Sequence, residues 1–133
     1  MGSWSASILG NDFTEDLLPE FKAVFHKYDD KTALALLDKY EAKYISEDEK
    51  FDYIYALALF LWQKGRLTDE IKTRALEAIK ADKLTAYEEA GKDVLAKRKR
   101  VLSELSLKLQ SPQPERKKLR RFGILRFVRS GIL

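Results

Sequence analysis

The chain has 133 residues, room for one domain with a single core, and its 45% apolar content is that of a folded protein rather than a disordered one. It contains no cysteine, which excludes a disulfide framework and any cysteine-ligated metal. The net charge of +4 hides a split: residues 1–96 carry 13 basic and 19 acidic side chains, whereas residues 97–133 carry 12 and 2.

In chain order, the first ten residues read as an irregular arm. They lack the basic start and apolar run of a signal peptide. Ala6 also stands where a myristoylation motif needs Ser or Thr, so the expected compartment is the cytoplasm. Asn11 and Asp12 are suited to cap a first helix, in which Phe13, Leu17, Leu18, Phe21, Phe25 and Tyr28 recur at helical spacing. Pro19 interrupts it, and a kink or a late start is expected there. A second helix follows Asp29 and Asp30, with Ala33, Leu36, Leu37 and Tyr40 on one face.

Ser46 and Glu49 have the spacing of a capping box opening a third helix. From Phe51 to Trp62 that helix is apolar nearly all round, the pattern of a buried central helix, and Gly65 is placed to stop it. Thr68 caps a fourth helix that turns Ile71, Ala75, Leu76 and Ile79 inward. A long fifth helix is expected from about Thr85 to Gln110, ended by Pro112 and Pro114. The hairpin formed by the third and fourth helices resembles a tetratricopeptide unit, but no second copy follows at that repeat's period. The expected fold is therefore all-α, a compact bundle of about five helices around a central apolar helix at 51–62. The helical domain spans 1–111, and a basic tail interleaved with apolar residues occupies 112–133.

Few catalytic arrangements fit this inventory. His26 is the only histidine, and Ala23 stands where a di-iron bundle would place Glu three residues before it. No phosphate-loop or dinucleotide fingerprint occurs, and no cofactor is expected. The acidic groups Asp12/Glu15/Asp16, Asp29/Asp30, Glu47/Asp48/Glu49 and Glu88/Glu89 all fall near helix starts, where capping and the helix dipole favour them. The basic side chains are the better binding candidates: Lys97, Arg98 and Arg100 on the long helix, then Arg116, Lys117, Lys118, Arg120 and Arg121.

The N-terminus, from Met1, Gly2 and Trp4 to Asn11 and Asp12, resembles a bacterial family of unknown function. Its members open Met-Gly-x-Trp-Gly-x-Gly-x-Phe-x-Asn-Asp. Further similar stretches are Leu57 to Leu67, Arg74 to Leu76, and Ser111 to Pro114 followed by basic residues, so the likeness spans about residues 1–120. Ser5, Ser7 and Leu9 depart from the pattern; Trp4, Asn11 and Asp12 match it. The resemblance implies that the Met-Gly-Ser start is native, and it brings no activity with it.

Small size, missing catalytic constellations and polarised charge together point to a non-catalytic binding protein of the immunity, antitoxin or defence-associated kind, with another protein as partner. The alternative is a nucleic-acid or anionic-surface binder acting through the basic segment 97–121.

Overall fold

The structure is a computed structural model and describes residues 12–117. Its elements are α1 (Asp12–Lys27), α2 (Asp30–Tyr44), a 3-10 turn at Glu47–Glu49, α3 (Lys50–Gln63), α4 (Asp69–Ala81), α5 (Thr85–Ala90) and α6 (Lys92–Gln110). No strand occurs among the described residues. Trp4, Asn11, Lys118, Arg120 and Arg121 lie outside them.

The apolar run becomes the centre of the bundle. On α3, Tyr53 to Ala58, Phe60 and Leu61 are all buried, since neighbours cover every face of the helix. Phe21 of α1 meets the Tyr53 ring edge-on with centroids 5.8 Å apart and lies 5.5 Å from Phe60. α4 contributes Ile71 and Ala75, and α6 contributes Leu102, Leu105 and Leu109. Each large apolar side chain covered in this way stabilises the fold by roughly 1.5–3 kcal/mol. The two core tyrosines keep their hydroxyls satisfied: Tyr53 donates to the Leu37 carbonyl at 3.3 Å, and Tyr55 is shared between the Ala78 carbonyl and Asp82.

Local signals account for most boundaries. Asp29 accepts from the Thr32 amide at 2.8 Å, and Thr68 accepts from Ile71 at 3.2 Å, each satisfying an otherwise orphaned donor in a first turn. Gly65 takes φ +68°, and the Gly65 and Arg66 amides reach back to the Trp62 and Leu61 carbonyls, the two bonds of a Schellman ending.

Three expectations change. The first helix neither starts late nor stops at Pro19; it begins at Asp12 and runs through. Pro19 is exposed, so water can serve the carbonyl that its missing N–H leaves open. The Ser46 hydroxyl meets the Glu49 carboxylate at 3.2 Å instead of capping a backbone amide, and the residues between form a 3-10 turn ahead of α3. The long last helix is two helices. Gly91 adopts φ +118° and ψ +159°, a conformation open in practice only to glycine, and it separates α5 from α6.

Beyond α6 the chain stays against the helical body. The Gln113 side chain exchanges two hydrogen bonds with the Leu67 backbone, at 2.8 and 2.9 Å. The Trp62 indole donates to the Ser111 carbonyl at 3.3 Å, and the Lys117 amide donates to the Lys64 carbonyl at 2.9 Å. Residues 112–117 thus form a strap over the α3–α4 turn.

Candidate functional site

The N-terminal end of α3 and the C-terminal end of α4 meet, because the two helices are antiparallel neighbours. Between them opens a cleft of about 730 Å³, with Glu47, Asp48, Asp52, Asp82 and Glu89 among its lining carboxylates and Phe51 and Tyr87 as its aromatic walls. Lys83 is its basic lining residue.

The cleft is organised by an arginine on α6. Arg98 is 1% exposed, donates to Asp52 at 2.6 Å, and lies over the rings of Tyr55 and Tyr87 at 5.6 and 5.0 Å. A guanidinium between two aromatic faces, bound to a carboxylate, is held by cation–π attraction and by a charge-assisted hydrogen bond. One residue thereby ties α6, α3 and α5 together and sets the position of Tyr87 in the cleft wall.

Asp52 keeps 30% of its side chain exposed, facing the cleft. Burial pushes its carboxyl above the ordinary range, and the Arg98 charge only partly offsets that push. Asp82 is fixed from two sides, with one oxygen accepting from the Leu84 amide at 2.9 Å and the other meeting the Tyr55 hydroxyl at 3.0 Å. Leu84, beside it, adopts the left-handed backbone at φ +58° although it is not glycine. Burial, then the Asp82 charge, raise the Tyr55 phenol well above its usual value. The result is a concave, negatively charged surface with two positioned carboxylates and aromatic sides, suited to receive a cation with an apolar stem. No cluster of metal-ligating side chains occurs among the described residues.

The expected basic site is divided. Lys97 and Arg100 are exposed on α6, as is Lys99. Arg98 is corrected from a surface phosphate ligand to an interior residue already bound to Asp52. Arg116 and Lys117 stand on the strap, past the other end of α6, which itself lies about 20 Å along the helix axis from Lys97. There they join residues from elsewhere in the chain. Arg66 donates to the Lys117 carbonyl at 2.8 Å, and Arg66 and Arg116 share the Asp30 carboxylate. Lys64 lies over the Phe60 ring at 5.9 Å.

The remaining candidates have structural duties or ordinary positions. His26 is half-buried on α1, Asp29 caps α2, and Asp12 is the first residue of α1. Composition and motif reading did not find the cleft acids Asp52 and Asp82 or the wall residue Tyr87. No helix among the described residues is long and apolar enough to cross a membrane. Comparison of the chain with models of known families, with curated proteins and with solved structures returns no match.

Proposed function

We propose that the protein is a non-catalytic binding protein that receives a basic segment of another protein in the acidic cleft. The observation that carries this reading is the cleft itself, in which five carboxylates surround Phe51 and Tyr87 on a base fixed by the Arg98–Asp52 pair. A lysine or arginine side chain presents an aliphatic stem and a charged head, which match an aromatic wall and a carboxylate rim respectively. The Arg98–Asp52 and Tyr55–Asp82 bonds place the floor before a guest arrives, which lowers the ordering entropy lost on binding. An immunity protein, antitoxin or defence-associated factor would use such a surface to cover a cationic patch on its target.

The test is calorimetric titration of the full chain with a synthetic Arg/Leu dodecapeptide as probe. Asp48 and Glu89 line the cleft and are exposed, so Asp48→Asn with Glu89→Gln removes charge without touching the fold. This double variant should weaken binding about five- to tenfold, and wild-type affinity should fall as salt rises. Glu77→Gln, on the exposed face of α4, should leave it unchanged. Equal loss in both variants would show attraction to bulk negative charge and sink the cleft reading.

A further inference from the structure

The opposite end of α3 gathers cations that are distant in sequence. Lys64 and Arg66 flank Gly65 in the α3–α4 turn, Lys117 is bonded to that turn through its backbone amide and carbonyl, and Arg116 precedes it. Lys22 belongs to α1, beside Phe21, whose ring packs on the same Phe60 that lies under the Lys64 ammonium. Asp30 is engaged by Arg66 and Arg116 together. No carboxylate among the described residues forms an ion pair with Lys22, Lys64 or Lys117. Burial first, and then the charges of Lys22, Lys117 and Arg66, lower the Lys64 pKa, which places these cations close to one another.

We propose that this pole, with Lys22, Lys64 and Lys117 as its contact residues, docks the protein on an anionic lipid surface. Two observations select lipid over nucleic acid. The chain leaves the pole at Lys117, and residues 118–133 contain five Lys or Arg and no acid, together with Leu119, Phe122, Ile124, Leu125, Phe127, Val128, Ile132 and Leu133. Phosphate contacts along a nucleic acid require the charges but not eight large apolar side chains. A bilayer interface uses both: apolar groups enter the headgroup region while Lys and Arg meet lipid phosphates, and durable attachment takes both signals together. Second, the basic run on α6 that a nucleic-acid reading would recruit lies near Arg98, about 20 Å along the helix axis from the end that leads into the strap, and has lost Arg98 to the interior. The pole faces away from the acidic cleft, so a docked molecule would keep the cleft open to its partner.

The experiment is co-sedimentation of the full chain with phosphatidylcholine vesicles, with and without about 30% phosphatidylserine, at low and high salt. Competition with a labelled DNA duplex and a single-stranded RNA completes it. The expected result is sedimentation with the anionic vesicles alone, weakened by salt and not displaced by either nucleic acid. Lys22→Gln and Lys64→Gln should each weaken it about fivefold, with the helical circular dichroism and melting temperature retained. Four results would overturn the proposal: sedimentation equal on neutral vesicles, none on either, preference for the duplex or the RNA, or full retention by a folded chain carrying both Lys22→Gln and Lys64→Gln. The last would leave the residues after Lys117 as the whole source of binding.

Discussion

At the N-terminal end of α3 the acids of the cleft are held by side chains, Asp52 by Arg98 and Asp82 by Tyr55. At its C-terminal end the cations ride on a strap fastened through its own backbone: the left-handed Gly65 lets it lie against the turn, the Lys117 amide donates to the Lys64 carbonyl, and the Lys117 carbonyl accepts from the Arg66 guanidinium. Each end is therefore fragile in its own way. A pole built on a buried ion pair fails when one charge is deleted, and a pole built on close backbone approach fails when a side chain is added.

The largest expected effect is therefore at the acidic end. Asp52→Ala leaves the Arg98 guanidinium buried without its carboxylate, a change that should destabilise the fold by about 3 kcal/mol, since Asp52 is partly open to solvent. Adding Arg98→Met to the same chain should recover most of that loss, because an apolar replacement has no charge to satisfy. Urea denaturation of both variants checks this. If the double variant is no more stable than the single one, packing rather than charge holds the cleft floor.

Next comes the basic end. A β-carbon on Gly65 would lie 2.5 Å from the Pro114 carbonyl oxygen and 2.8 Å from the Arg116 backbone, and left-handed backbone disfavours any side chain. Gly65→Ala should cost about 2 kcal/mol. Hydrogen exchange at the Lys117 amide should accelerate while the amides of mid-α3 keep their protection relative to the lowered global stability. An unchanged Lys117 amide would mean that the strap does not depend on the turn.

The smallest effect is confined to alkaline pH and to the cleft. Burial first, then Asp82, hold the Tyr55 phenol above its ordinary 10.0. Above that pH the native state keeps a proton that the unfolded chain has released. Stability should then fall as pH rises past 10, by about 1.4 kcal/mol per pH unit for this one group. Tyr55→Phe should flatten that part of the profile relative to wild type, as thermal melts at stepped alkaline pH would reveal. A profile unaltered by the substitution would assign the loss elsewhere, beginning with Tyr53, which burial shifts in the same direction.

Much of the fold was legible because its signals are local. The apolar run of α3, the Thr68 cap and the Gly65 stop need only a few neighbouring residues to act. Gly91 was equally local, yet it lies inside an otherwise sustained helical stripe, and helical periodicity does not register a single residue that changes backbone region. The cleft left a subtler trace. Arg98 falls in phase with Leu95, Leu102, Leu105 and Leu109, on the inward stripe of α6, and Asp52 is the one charge in the apolar run of α3. Two charges of opposite sign, each on a face that should be apolar, are the mark of a buried pair. Grouping Arg98 with its sequence neighbours Lys97 and Arg100 concealed it. The basic pole had no comparable trace, because Lys22, Lys64 and Lys117 come together only through the packing of α1 on α3 and the return of the strap.

The most direct test of the cleft as a receptor for cations is residue-resolved NMR of the full chain titrated with the same Arg/Leu dodecapeptide. The backbone amides of Asp48, Asp52, Leu84 and Tyr87 should shift progressively and saturate together, while those of Lys22, Lys64 and Lys117 stay in place. Shifts centred on the strap and the α3–α4 turn, or small unsaturating shifts scattered over every acidic surface, would contradict that role for the cleft.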